Sequence, residues 1–484
     1  MLTSRLPFAG ACRTGFLFAG LCVAATFTPT ATAHAQRGNG AGVGKAIDSV
    51  VTSFLKEGQA AGLSVAVVRG KDTLALKGYG KADLELDVPT PPRAVYEIGS
   101  VTKQFTSVAL LMLRDEGKLS LDDDFTKYLP DYPTNGRRIS VRRLLDHTSG
   151  IKGYTEMPEF GPMMVRDLPK DSLVALFAKE PFNFEPGERE IYNNSAYFLA
   201  GLIIEKVSGK SYADFVKERI FDKVGMKDSY YCSESTIIKG KVKGYDMSPK
   251  GLVNKGFIRH TYPYAAGSLC ATAGDLLAWN RALHGGKVLP PSSYQELITP
   301  SSLNDGTKLR YALGIALHEV RGHRVIEHGG GINGFLSASN YFPDEDAVIV
   351  VLSNSTGIPA DPVVAAIADR VFGKKSLSSQ PYTAALSDLT GTYAGVGRGM
   401  QLTVKITAEG QKLLATVLMG PDAKPAPLRH VGNDTWDLDG QRLTFVRDGG
   451  RSPGSRSTWS TATRSSIGSP DAAGRPLATR SCRR

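Results

Sequence analysis

The run Val101, Phe105, Val108, Ala109, Leu110, Leu111, Met112 and Leu113 is apolar on most faces of a helix, and such a helix must lie inside a domain with layers packed around it. Lys103 stands at its start. A lysine that begins a buried element needs a partner, because desolvating an unpaired ammonium is costly. Three residues earlier comes Ser100. At i to i+3 on a helix, two side chains rise from one face with Cβ atoms about 5 to 6 Å apart. A serine hydroxyl is a weak nucleophile until a base takes its proton, so Ser100-Val101-Thr102-Lys103 supplies what nucleophilic catalysis requires. The positive helix N-terminus favours both an alkoxide and a neutral lysine.

Two more motifs follow in order, Tyr192-Asn193-Asn194 and His328-Gly329-Gly330, and the three together describe a serine acyl-transfer site. Order matters here because Ser-x-x-Lys alone is weak: composition yields roughly two matches in a chain this long. Ser53-Phe54-Leu55-Lys56 is the control. It lies in the amphipathic stretch Ala46 to Leu55, where Ile47, Val50, Val51, Phe54 and Leu55 share one helical face, and it reads as structural.

The blocks Tyr96-Glu97-Ile98-Gly99-Ser100-Val101-Thr102-Lys103, Leu144-Leu145-Asp146-His147-Thr148-Ser149-Gly150, and Phe184-Glu185-Pro186-Gly187-Glu188 leading into Tyr192-Asn193-Asn194 extend the pattern. In order and spacing the chain resembles the class C β-lactamase and D-alanyl-D-alanine peptidase superfamily, which includes esterases and D-aminopeptidases, over roughly residues 43 to 375. The resemblance implies an α+β fold of the β-lactamase/transpeptidase type, an antiparallel sheet flanked by helices with a large helical insertion. It also implies roles: Ser100 as nucleophile, Lys103 as its activating partner, Tyr192 as proton shuttle, and Asn194 orienting Lys103 and the substrate amide. The oxyanion hole would be the backbone N–H groups of Ser100 and of Gly331, the residue after the His-x-Gly unit that ends at Gly330. A tyrosine near pKa 10 becomes a usable base only when a cation such as Lys103 stabilises the phenolate.

The third motif departs from the β-lactamase pattern, in which a lysine usually begins the Lys-Thr-Gly strand. His328 stands there instead. A histidine titrates near pKa 6.5, so as a cation it would meet a substrate carboxylate only in part at neutral pH. The expected activity is therefore an exported serine hydrolase forming an acyl-enzyme on peptide substrates of the D-amino-acid type or on esters, in preference to an efficient β-lactamase. The rival of another class is a penicillin-recognising binding or sensor protein that acylates without turnover. Tyr192, a deacylating base, argues against it. The expected partners are a small-molecule or peptide substrate, with cell-wall peptide a candidate.

Competing motifs fail on context. Asp146-His147-Thr148-Ser149-Gly150 holds the residue types of a catalytic triad, but sequence neighbours do not converge in triad geometry, and the block reads as a loop supporting the site. His328-Gly329-Gly330-Gly331 has no downstream Gly-x-Ser-x-Gly elbow. Gly44-Lys45 precedes Ala46 where a phosphate loop needs Ser or Thr. The eight histidines include no His-Glu-x-x-His and no paired cysteine spacing, so neither a metal nor another cofactor is implied.

Residues 1–35 read as a secretory signal, with Arg5 and Arg13, an apolar run from Gly15 to Phe27 too short to span a membrane, and Ala33-His34-Ala35 for cleavage. The expected location is exported, periplasmic or secreted, with no stable membrane span. Cleavage would remove Cys12 and Cys22 and leave Cys232, Cys270 and Cys482, an odd count that leaves a Cys232 to Cys270 bridge open. Gly38 to Gly44 reads as a flexible linker. Leu63 to Val68 and Thr73 to Gly78 read as strands, and the next ones lie far away at Val325 to Glu327, Phe335 to Tyr341 and Ala347 to Leu352. A sheet assembled from both ends implies that the helical region from about Ser100 to Leu283 is inserted between its halves, with the active site at that seam.

A closing helix is expected over Pro362 to Gly373 and a linker over Ser376 to Pro381, so the hydrolase domain spans 36–378. Short alternating runs from Thr392 to Val446, with turns at Glu409-Gly410 and Asp439-Gly440, make 379–450 a small antiparallel β domain that reads as a packing appendage. Residues 451–484 lose all strand alternation and read as a disordered basic tail. That tail carries +6 and the leader +2 of the net +11, leaving +3 for the body, so the basic balance gives no reason to expect nucleic-acid binding.

Overall fold

The structure is a computed structural model that describes residues 40–56, 60–375, 381–397, 400–418, 423–432, 435–438 and 441–445. The leader 1–35, Ser376 to Gln380 of the linker, the turn Asp439-Gly440 and the tail 451–484 lie outside the described residues, as do Cys12, Cys22 and Cys482.

The principal elements, in chain order, are helix α1 (Gly40–Lys56), strands β1 (Gly62–Arg69), β2 (Asp72–Asp83) and β3 (Val88–Pro89), and helices α2 (Thr102–Asp115), α3 (Asn194–Ser208) and α4 (Ala273–His284). Strands β4 (Ala316–Val320), β5 (His323–Ile332), β6 (Phe335–Phe342) and β7 (Ala347–Ser353) follow, then helix α5 (Ala360–Val371). One sheet of order β3-β2-β1-β7-β6-β5-β4 joins both ends of this region. Its seam is the antiparallel pair β1 and β7, in register from Leu63 opposite Ser353 to Arg69 opposite Ala347. The helical segment from α2 to α4 is inserted between β3 and β4, as the strand spacing implies.

Period-2 alternation builds the layers. Leu63, Val65 and Val67 of β1 face one way with Ile349 and Val351 of β7, and they bury Ile47, Val50 and Val51 of α1 and Val363, Val364 and Ile367 of α5. Each such side chain contributes about 1.5 to 3 kcal/mol by leaving water. Ala66, Val348, Val350 and Leu352 face the other way, into the core shared by α2, α3 and α4. There Phe105 of α2 stacks on Trp279 of α4 with centroids 4.3 Å apart. Helix α2 is buried from Thr102 through Leu111, as an all-round apolar run requires.

Three boundaries differ from the sequence reading. Residues 40–44 of the expected linker are already helical, because Val43 packs against the α1 face of the core and this tertiary contact outweighs local glycine content. Helix α5 starts two residues before Pro362, which falls in the first turn, where its missing N–H has no intrahelical acceptor to lose. Strand β5 runs on through Gly329, Gly330 and Gly331, held by its ladder to β6 despite poor strand propensity. Cys232 and Cys270, left open above, form a disulfide that pins the short strands Tyr230–Tyr231 and Leu269–Ala271 beside Tyr96–Glu97.

The C-terminal meander is a second antiparallel sheet, β8 (Gly391–Gly397), β9 (Met400–Glu409), β10 (Lys412–Val417), β11 (Ala426–Gly432), β12 (Thr435–Leu438) and β13 (Gln441–Thr444), in sequence order. It has a core of its own around Leu389, Tyr393, Val404, Ile406, Leu413 and Trp436. Among the described residues, no helix is long and apolar enough to cross a membrane.

Candidate active site

Ser100 does not open helix α2 itself. It sits in a 3-10 turn, Gly99–Val101, that feeds the helix. Gly99 holds φ +51°, where a Cβ would fall 2.9 Å from the Gly331 amide nitrogen, so a side chain is excluded both by conformation and by the approach of β5. The Ser337 hydroxyl on β6 donates to the Ile98 carbonyl at 2.8 Å, and the Leu269 N–H donates to Thr102 Oγ1 at 3.1 Å. These bonds fix the turn against the sheet, with Ser100 at the seam between sheet and helical insertion.

Lys103 is fully buried. Its Nζ lies 3.1 Å from Ser100 Oγ, and it also donates to Asn194 Oδ1 and to the Ala266 carbonyl, each at 2.8 Å. The ammonium is thereby solvated by oxygen dipoles, and the i to i+3 spacing does what the sequence reading required. The Ala266 carbonyl is a site atom that the sequence conceals, since a backbone acceptor carries no residue signature.

Helix α3 places the second motif. Asn193 is its N-cap, with Oδ1 accepting from the Ala196 N–H at 2.9 Å, so Asn194 begins the helix and Tyr192 precedes the cap. Asn194 spans two elements, taking the Lys103 bond on Oδ1 and donating through Nδ2 to Thr155 Oγ1 at 3.2 Å. Lys103 Nζ is 4.6 Å from the centroid of the half-buried Tyr192 ring. Two other phenols are near: burial pushes Tyr197 and Tyr311 up, which keeps both protonated. Away from the motif residues, Tyr154, Met157, Phe160, Met163, Phe198 and Tyr262 line a small cavity of about 20 Å³.

The third motif lies on β5. A Cβ on Gly330 would come 2.1 Å from the Ile98 carbonyl oxygen and 3.0 Å from the Ser100 amide nitrogen, so β5 and the serine turn are in backbone contact. Gly330→Ala is expected to force them apart, with a loss of about 1 to 3 kcal/mol of stability and a fall in turnover. Thermal unfolding together with steady-state kinetics checks this, and an unchanged midpoint would show that the strand yields freely.

His328 lies on β5 at the head of the three glycines. Its ring is buried, with Nε2 2.7 Å from the Tyr311 hydroxyl and Nδ1 2.5 Å from the Gly329 carbonyl. Both ring nitrogens hydrogen-bond within the protein. Tyr311, with no motif around it in the sequence, is the residue that holds it.

The block after Leu145 is a support loop. Thr148 N–H and Oγ1 both donate to Asp146 Oδ1, at 3.1 and 2.5 Å, and the Gly187 N–H donates to the Thr148 carbonyl at 2.7 Å, tying the Phe184 to Glu188 block to it. Burial raises the Asp146 carboxyl above its ordinary range, and the Thr148 bonds and Arg143 oppose that shift. Ser53, by contrast, is exposed on α1. Among the described residues, no group of three or more His, Cys, Asp or Glu side chains is placed to hold a metal ion.

A family model described as Beta-lactamase matches residues 47–374, which takes in the sheet, the helical insertion and all three motifs. The chain belongs to the beta-lactamase family. It is a serine hydrolase of the beta-lactamase fold, and its relatives within the family are varied. Penicillin-binding protein 4* of Bacillus subtilis (strain 168) is 26% identical over 306 residues, covering 60% of this chain and 67% of the relative. The D-aminopeptidase of Gluconobacter oxydans (strain 621H) is 28% identical over 361 residues, covering 73% of this chain and 66% of its own length. The chain thus spans about two thirds of the length of these curated relatives. Among solved structures, the D-amino acid amidase from Ochrobactrum anthropi SV3 complexed with L-phenylalanine amide superposes with a TM-score of 0.61 at 25% identity, over 68% of this chain and 98% of that one. The octameric penicillin-binding protein homologue from Pyrococcus abyssi gives 0.60 at 25% identity, over 84% and 94%.

Proposed function

We propose that this beta-lactamase family member is an exported hydrolase that forms an acyl-enzyme at Ser100 on small amides or peptides of the D-amino-acid type, or on esters. The observation that carries the reading is the fully buried Lys103 ammonium, 3.1 Å from Ser100 Oγ and 4.6 Å from the Tyr192 ring centroid. In this reading the Ser100 oxygen attacks the substrate carbonyl carbon while its proton passes to the Lys103 and Tyr192 pair. The tetrahedral oxyanion lies between the N–H groups of Ser100 and Gly331. Tyr192 hands its proton to the leaving amine or alkoxide, then takes one from the water that attacks the acyl carbon, and Ser100 recovers its own. Lys103 stabilises the phenolate, and Asn194 holds Lys103 and meets the substrate amide.

The D-aminopeptidase and D-amino acid amidase relatives support an amide substrate. His328 in place of a lysine supports weak β-lactam turnover. The Cys232–Cys270 disulfide supports export, since such bonds persist in oxidising compartments, and an exported enzyme of this type would meet cell-wall peptide.

Steady-state assays with an aromatic D-amino-acid amide, an aryl ester and a penicillin test the reading. Hydrolysis of the amide or ester at least about tenfold faster in kcat/KM than that of the penicillin is expected, a difference of about 1.4 kcal/mol in transition-state binding. Stoichiometric acylation with no turnover of any of the three would instead identify a penicillin-recognising sensor.

A further inference from the structure

We propose that His147 is a positioning residue that clamps the backbone on both sides of Tyr192; this rests on the reading in which Tyr192 carries the proton. His147 accepts two hydrogen bonds from the Tyr192 segment. Its carbonyl oxygen takes the Ile191 N–H at 3.0 Å, and its ring Nδ1 takes the Asn193 N–H at 3.0 Å. One residue thus holds the chain on both sides of Tyr192, through the Glu190–Ile191 peptide before it and the Tyr192–Asn193 peptide after it. The imidazole also lies against the Tyr192 ring, with centroids 4.3 Å apart.

Three features show that the conformation is imposed. His147 has φ +63°, a left-handed backbone that few residues other than glycine adopt and that turns its carbonyl and its ring toward the same strand of chain. It is 1% exposed, so neither bond is exchanged for water. Its ring is boxed in by Tyr197 of α3 at 5.3 Å and by Tyr311 at 4.6 Å, and Tyr311 in turn bonds His328. The ionisable groups around it are therefore Tyr192, Tyr197 and Tyr311, with Lys103 over the first two rings, His328 behind the third, and Asp146 adjacent in the chain. With Nδ1 as acceptor, the neutral imidazole carries its proton on Nε2. The loop anchoring His147 is itself closed by Asp146 and Thr148, so the clamp is rigid.

The consequence is kinetic. Tyr192 must keep its hydroxyl within hydrogen-bond reach of a moving proton in two successive steps, and a displacement of about 1 Å in such a group costs up to about 10²-fold in rate. His147→Gly keeps the left-handed backbone without strain but removes Nδ1 and the ring. His147→Asn also tolerates that backbone and offers Oδ1 where Nδ1 was. His147→Gly should lower kcat about 10- to 100-fold with KM within threefold, and His147→Asn should restore kcat to within about fivefold of the parent.

The deciding measurement is a double-mutant cycle with Tyr192→Phe. If His147 acts through Tyr192, His147→Gly should change kcat by less than about twofold in the Tyr192→Phe background. An equal fold-loss in both backgrounds, or an Asn variant as slow as the Gly variant, would overturn the proposal and leave His147 a packing residue. Should the Gly variant not fold, the Asn variant decides alone: kcat within about fivefold of the parent is expected, and a loss of more than about tenfold that persists in the Tyr192→Phe background would overturn the proposal. If Tyr192→Phe alone leaves turnover unchanged, the reading beneath the proposal fails first, and that single variant shows it.

Discussion

Ser100→Ala is expected to reduce turnover by about 10⁴- to 10⁶-fold, the range for removing the nucleophile of a catalytic unit. The fold should survive the change. Lys103 keeps its bonds to Asn194 Oδ1 and the Ala266 carbonyl, so the buried ammonium is still solvated when Ser100 Oγ is gone. Unfolding midpoints within a few degrees of each other would establish that the lost activity is chemical. Ser53→Ala is the matched control, since Ser53 carries the same i to i+3 lysine but lies exposed on α1. A serine-directed covalent probe should label the parent and the Ser53 variant and leave the Ser100 variant unlabelled. Labelling in the reverse pattern would remove Ser100 from the chemistry.

Tyr192→Phe is expected to lower turnover by about 10² to 10⁴, the range for losing a general acid or base. The ring contacts explain why the fold should hold. Phenylalanine can still pack on His147 at the observed 4.3 Å and still offer its face to Lys103 at 4.6 Å, so only the hydroxyl is lost. Tyr197 and Tyr311 are poor substitutes, because burial holds both phenols in the protonated form. A variant with near-normal turnover would make Tyr192 a packing residue and shift the proton transfers to Lys103.

Much of this arrangement was legible because its signals are local or periodic. The near-continuous apolar run of β1 announces a sheet strand buried on both faces, and an i to i+3 pair at the head of an all-round apolar helix brings Ser100 and Lys103 together whatever surrounds them. The missing strands between Gly78 and Val325 implied an inserted helical region, and the seam of β1 with β7 bears that out. What stayed hidden depends on contacts between distant segments. The Ala266 carbonyl bonds Lys103 across 163 positions, and Tyr311 reaches His328 from a segment with no motif. His328 illustrates the limit: its place in the third motif gives no sign of the bonds its ring makes to Tyr311 and Gly329. Strands of two residues, such as Tyr96–Glu97, have no readable periodicity at all, and α1 begins earlier than its glycines suggest because Val43 finds a core to enter.

The most direct test of the central claim is time-resolved intact mass spectrometry of the purified protein mixed with an aryl ester and, separately, with a carboxylate-bearing β-lactam, followed by peptide mapping of any adduct. A transient adduct of the acyl mass on Ser100 is expected to rise and decay with the ester. The β-lactam should give a slower cycle, and the Ser100→Ala protein no adduct. Ester hydrolysis at full rate with the adduct on another residue, or with an unmodified Ser100 throughout turnover, would contradict the claim.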